Sequence, residues 1–303
     1  MNQPGPQHCD RFGIAYRPAL AASLWANTDS VDLIEVIADD WFGASRRELA
    51  ALATLSQQVT MHVHAVGLGL ASAWPVDTAR VCALARVVEA TGGAAWSEHL
   101  AFVRAGGIEL GHLCAPPRTL ATLEGLARNV RVAARVVGSL PALENVATLI
   151  DPPCSELDEP TFVARALELT GAPLLLDLHN LHANATSFGF DPLSYFDVLP
   201  LERVTAVHLA GGKTITLGGQ QRVLDDHRHA VPDVVYVLLE QLASRIEQPI
   251  DVIVEHDGRP PAWSAYMQEL AKARAAIASG RDQRACLSLH EPCARRGTEG
   301  LQP

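Results

Sequence analysis

Short, nearly continuous apolar runs alternate along the chain with longer stretches of mixed character. The apolar runs fall at 12–16 (FGIAY), 32–37 (DLIEVI), 58–64 (QVTMHVH), 94–98 (AAWSE), 141–146 (PALENV), 173–178 (PLLLDL), 203–209 (RVTAVHL) and 250–255 (IDVIVE). Strands buried on both faces of a parallel sheet read this way. The stretches between them, 18–27, 44–54, 77–91, 117–137, 159–170, 190–198, 231–246 and 262–279, are rich in Ala, Leu, Arg and Glu and predict helices. Eight strand–helix pairs in 303 residues predict one α/β domain, a (β/α)8 TIM barrel. A doubly wound sheet is the alternative, but the segment after the first strand, AYRPAL, lacks a glycine-rich phosphate loop. The expected layout is an N-terminal tail over 1–10, the barrel over 11–280 and a flexible C-terminal tail over 281–303, where periodicity is lost.

Composition narrows the classes. An apolar fraction of 48% supports a large core. No apolar run reaches the length of about 18 residues that a membrane span needs. The N-terminus, MNQPGPQHCDRF, has no basic segment followed by an apolar one, so a cytoplasmic protein is expected. A net charge of −10 argues against broad nucleic-acid binding, which requires basic surface. The six cysteines are scattered and form no CxxC pair, so neither a zinc ribbon nor a disulfide framework is indicated.

The ends of the predicted strands carry the chemistry. Strand two brings Glu35, then Asp39 and Asp40. Strand three ends in His62 and His64, strand four in Glu98 and His99, and strand five in Glu144 and Asn145. Strand six, in the segment LLLDLHNLHANA, delivers Asp177, His179, Asn180 and His182. Strand seven gives His208, the following loop Asp225, Asp226, His227 and His229, and the last strand Glu255, His256 and Asp257. In a parallel barrel all these carboxyl ends meet at one mouth. Imidazoles and carboxylates gathered there are costly to bury without a partner, and a cation is the natural one. His with carboxylate and open positions suits non-haem iron, and the lack of Cys argues against structural zinc or an iron–sulfur cluster.

Each histidine has a plainer reading, because a lone His is more often a hydrogen-bonded core residue than a ligand. His62 lies one layer deeper than His64 and reads as structural. His8 and His112 read as surface residues, and Cys286, His290 and Cys293 as incidental placements in a polar tail. The HVH at 62–64 invites an amidohydrolase reading. There the pair belongs to the first strand, and the only lysines here, Lys213 and Lys272, offer no carboxylated bridge.

The segments GIAYRPAL, LIEVIADDWF, HAVGLGL, SEHLAF, LENV, LLLDLHNLHANA, VHLAGG, DDHRHAVPD and VIVEHDG occur in that order over roughly 11–265. Together they resemble the multinuclear non-haem iron-dependent oxidative enzymes. That family includes the oxidase subunit of methanobactin biosynthesis and the enzyme that trims a cysteine in thiaglutamate biosynthesis. The resemblance implies a TIM barrel holding two or three iron ions, with O2 as co-substrate. It implies modification of a cysteine, or of the backbone beside it, in a ribosomally synthesised precursor peptide, aided by a small leader-peptide-recognition partner protein. By motif it assigns metal ligation to His64, His99, Glu144, Asp177, His179, His208, Asp225, His227 and Glu255, with Glu144 as the bridge. Glu144, Asp177 and His208 are the implied catalytic residues, and Asn180, His182 and His229 are further candidates. Loops 65–76, 100–115 and 179–190 are candidate walls of a peptide channel. Arg17 and Arg104 are candidates for pairing with substrate carboxylates, with salt bridges as the plain alternative. The competing functions are a divalent-metal-dependent isomerase or hydrolase of the xylose-isomerase-like barrel type, and a non-catalytic metal-binding scaffold.

Overall fold

The computed structural model describes residues 9–290. In chain order the first half comprises β1 (Arg11–Ala15), α1 (Ala21–Ala26), β2 (Leu33–Ile37), α2 (Arg46–Ser56), β3 (Thr60–Ala65), α3 (Thr78–Ala90), β4 (Ala95–His99), β5 (Phe102–Ala105), β6 (Ile108–Cys114), α4 (Leu120–Val137) and β7 (Ala142–Glu144). The second half comprises α5 (Glu159–Thr170), β8 (Leu174–Asp177), α6 (Leu178–Phe188), α7 (Pro192–Val198), β9 (Val204–Leu209), β10 (Lys213–Leu217), β11 (Gln220–Leu224), α8 (Asp233–Ala243), β12 (Asp251–Val254) and α9 (Trp263–His290). Eight strands close into a barrel in the order β1-β12-β9-β8-β7-β4-β3-β2, and every neighbouring pair is parallel. All eight strands expected from the apolar runs are in the wall.

Alternation along each strand sorts the side chains. Ile34, Val36, Val63, Leu143, Leu176, Val207, Val252 and Val254 join the apolar layer between wall and helices. Leu84, Leu126, Leu167 and Leu239 meet them from the helices. The intervening positions face the barrel interior, where Leu33, Leu175, Ala206 and Ile253 are buried alongside the polar residues. The helices start where the sequence supplies caps: Ser45 closes a capping box with Glu48, and Asp77, Thr119 and Asp158 accept from first-turn amides.

Four expectations need correction. The segment 100–115, read as a loop, contains the antiparallel hairpin β5–β6, and the segment between β9 and Asp225 contains a second, β10–β11. Both turn on Gly-Gly, Gly106-Gly107 and Gly218-Gly219, with positive φ at each glycine, the backbone that tight hairpin turns require. Segment 179–190 is helical through Phe188, because α6 starts directly at the end of β8. The tail expected over 281–303 is helical as far as His290. Arg281 there reaches Asp10 and the carbonyls of Ile246 and Gln248, and Arg284 pairs with Glu247, which fastens the helix to the barrel. His8, Cys293 and the side chain of His290 lie outside the described residues. Among the described residues no helix is long and apolar enough to cross a membrane.

Candidate metal centre

Seven barrel strands or their ends send polar side chains into one mouth. His64 ends β3, with its Nδ1 2.8 Å from the Ser97 hydroxyl. Its Nε2 thus turns toward Glu144, 3.5 Å from Oε2. His99, ending β4, brings its Nε2 to 3.4 Å from the same oxygen. The two rings stand edge to face, 4.7 Å apart. The other oxygen of Glu144, Oε1, lies 3.2 Å from Nδ1 of His208 on β9. Glu144 therefore faces one histidine pair with one oxygen and His208 with the other. His208 Nδ1 is also 3.1 Å from Oε2 of Glu255, just beyond β12.

Asp177 is both the last residue of β8 and the N-cap of α6. Its Oδ1 accepts from the Asn180 backbone N–H at 2.7 Å. Its backbone is held by Asn145, whose side chain accepts from the Asp177 N–H and donates to the Asp177 carbonyl, both at 2.9 Å. At the rim, His179 Nδ1 lies 2.8 Å from Asp225 Oδ1, and His227 Nε2 lies 2.9 Å from that oxygen. His227 occupies a left-handed backbone position (φ 50°), which aims its ring inward so that Nδ1 stands 3.6 Å from Glu255 Oε2.

Donor atoms converge in four sets: His64, His99 and Glu144; Glu144, Asp177 and His208; Asp177, His227 and Glu255; and Glu35, His208 and Glu255. The first three are linked by shared carboxylates. The electrostatics agree with a cation partner. Burial drives His64 down to about 3. Burial also opposes charge on His99, yet the carboxylates of Glu144 and Glu98 lift it to about 9. His227 is held at about 10, burial being outweighed by Glu255 and Asp225. His208 rises well above its ordinary value because Glu255, Glu35 and Glu144 overcome its desolvation. Burial, with the charges of Asp225 and Glu144, pushes Asp177 up to about 7. The carboxylates thus press protons onto neighbouring imidazoles, and metal binding displaces such protons. Glu35 Oε1, Glu144 Oε2, Asp177 Oδ2 and Asn180 Oδ1 are buried without a hydrogen-bond partner, which is costly unless a cation or its ligands engage them. The residues present fit a multinuclear metal centre.

Of the residues singled out from sequence, His64, His99, Glu144, Asp177, His208, His227 and Glu255 fall within these sets. His179 and Asp225 adjoin them through His227, and Asn180 through Asp177. His182 stands one step out, its ring 6.3 Å from that of His179, and it joins none of the four sets. His229 is exposed and turned to Asp226. His62 is structural, bound to Asp251, which also takes Arg11. His112 is exposed, and His256 is buried against Glu269 at 2.7 Å. Arg17 pairs with Asp257, and Arg104 with Glu109 and the carbonyls of Gly67 and Leu68, so both are internal braces. Glu35, a strand residue outside the ligand set that the resemblance implies, lies against His208. A charged residue interrupting the buried run LIEVI was the available signal.

A family model for the RiPP (ribosomally synthesised and post-translationally modified peptide) precursor modification enzymes MbnB/TglH/ChrH matches residues 11–278. The chain belongs to this family. Relatives of this MbnB/TglH/ChrH-family protein include a UPF0276 protein of Streptomyces avermitilis, 37% identical over 269 residues. That match spans 86% of this chain but only 54% of the relative. A UPF0276 protein of Caulobacter vibrioides is 29% identical over 276 residues, covering 91% of this chain and 97% of the relative. Among solved structures, an L-ribulose 3-epimerase superposes with a TM-score of 0.58 at 17% identity, covering 95% of this chain and 100% of that one. A xylose isomerase-like TIM barrel protein from Mycobacterium smegmatis in complex with magnesium gives 0.53 at 13% identity, covering 92% and 99%. Likeness at this level shows the shared barrel and no more.

Proposed function

We propose that this family member is an iron- and O2-dependent oxidase acting on a cysteine, or on the backbone beside it, in a ribosomally synthesised precursor peptide. The observation that carries the reading is Glu144, whose two oxygens face two different histidine groups. A carboxylate so placed suits two or three iron ions in one cleft: His64, His99 and Glu144 would hold one. Glu144, Asp177 and His208, with Glu255 3.1 Å from His208, would hold another, and Asp177, His227 and Glu255, with Asp225 and His179 beside them, border a third position. Iron bound there supplies one-electron chemistry with O2 and a cationic site for a cysteine thiolate.

The chain's own groups prepare that centre. Ser97 orients His64 so that Nε2 is presented. Asn145 and the first turn of α6 fix the Asp177 carboxylate. A cavity of about 270 Å3 between loop 66–77 and hairpin β5–β6, lined by Leu68, Ser72, Trp74 and Arg104, is the proposed path for peptide on that side. A small leader-recognition partner would deliver the precursor.

The test is purified protein, reconstituted with ferrous iron and mixed with cysteine-containing candidate precursor peptides, then followed by mass spectrometry with and without O2. A mass change that needs both iron and O2 supports the proposal. Turnover of a sugar or phosphodiester with magnesium or zinc under anaerobic conditions supports the isomerase or hydrolase alternative instead.

A further inference from the structure

We propose that Glu35 is a positioning residue that accepts the Nε2–H of His208 and so commits Nδ1 of that ring to the metal centre. This deepens the metal-centre reading and rests on it. Glu35 sits in mid-β2 and His208 near the end of β9, and both are fully buried. Among the described residues the only hydrogen-bond partner of the Glu35 carboxylate is His208: Oε2 bonds to Nε2 at 3.1 Å, while Oε1, at the same distance from Nε2, is buried without a hydrogen bond of its own.

The ring has two nitrogens and, when neutral, one proton. A metal takes a bare nitrogen, so the other must keep the proton and find an acceptor. The Nδ1 edge looks at the shared carboxylates, Glu144 at 3.2 Å and Glu255 at 3.1 Å. The donor set of Glu144, Asp177 and His208 lies there, and Asp177 Oδ2 in it has no hydrogen bond. The Nε2 edge looks at Glu35. With Nδ1 used for metal, Nε2–H in this buried site needs an acceptor, and Glu35 is the one provided. The opposite arrangement makes Glu35 a ligand itself, with His208 Nε2 and Glu255. That would withdraw His208 from the set around Glu144.

The two arrangements separate by NMR of full-length protein labelled with 15N-histidine and loaded with Zn(II), a diamagnetic probe that requires neither iron redox chemistry nor O2. Our assignment expects His208 with a proton on Nε2 and metal on Nδ1; the reverse pattern overturns it. Zinc titration of variants is the second readout. Glu35→Gln keeps an acceptor oxygen, so full metal stoichiometry and affinity within about tenfold of wild type are expected. Glu35→Ala removes the acceptor and is expected to weaken binding about 10–100-fold. Loss of a whole metal equivalent in Glu35→Gln would show Glu35 to be a ligand and overturn the proposal. Failure of wild-type protein to take up any divalent metal would overturn the centre itself, a result distinct from metal bound through the wrong nitrogen.

Discussion

Asn145→Ala is the perturbation that most directly connects the fold to the centre. The ladder between β7 and β8 ends at Glu144 and Leu175, two residues short of Asp177. Beyond it the Asn145 side chain takes over, pairing with both the N–H and the carbonyl of Asp177 at 2.9 Å. Asn145 is 1% exposed, so water does not replace it freely. Truncation removes two hydrogen bonds and leaves two buried backbone groups unpaired, for a loss of about 2–4 kcal/mol. With a urea slope of about 3 kcal/mol/M, the unfolding midpoint falls by about 1 M. Because Asp177 is held by this clasp, metal affinity falls too, by about 10–100-fold. Urea unfolding monitored by circular dichroism, beside zinc titration of the same protein, measures both effects. A midpoint within 0.2 M of wild type, taken as about the scatter of such measurements, together with unchanged affinity, would refute the claim that Asn145 sets the position of Asp177.

Glu159 is half-buried beneath α7, and burial raises it to about 7 from 4.5 despite Arg118 nearby. The folded state therefore holds this proton more tightly than the unfolded one. Its stabilising contribution is full below pH 4.5 and is lost as pH rises through about 7, a decline of about 3 kcal/mol. Glu159→Gln should flatten that part of the stability–pH curve; an unchanged curve contradicts the assignment. His229→Ala, at an exposed position turned away from the centre, should leave metal content unchanged and stability within about 0.5 kcal/mol, read by metal analysis and thermal unfolding. Gly212→Ala places a Cβ 2.3 Å from the Leu224 carbonyl oxygen and 2.6 Å from His179 Cε1, so it should cost about 1–3 kcal/mol and weaken metal binding at the His179–Asp225–His227 end, read by zinc titration.

The barrel was legible because each wall strand is a short apolar run, as in PLLLDL and IDVIVE, and because the runs are spaced by helix-length segments. The centre was legible for the same reason: polar residues that end such runs must share one mouth. What escaped depends on local overlap and distant pairing. Asp177 ends a strand and caps a helix at once, so no loop residues announce α6. The helical stretch past residue 280 is held by Arg281 and Arg284 reaching partners far away in sequence. Hairpin β5–β6 carries mostly exposed residues with little alternation, and only its Gly-Gly turn marks it. Glu35 was visible as a charge inside a buried strand, but its partner on β9 became evident only with the closed barrel.

The central claim is that Glu144 joins neighbouring metal ions at the barrel mouth. Crystals of iron-reconstituted protein, with anomalous scattering collected on either side of the iron absorption edge, test it most directly. The account predicts at least two iron peaks in the mouth, one on the His64–His99 side and one on the His208 side, each in contact with Glu144, and none at these positions in Glu144→Ala crystals. Iron found elsewhere, or a Glu144 carboxylate touching no metal, would contradict it.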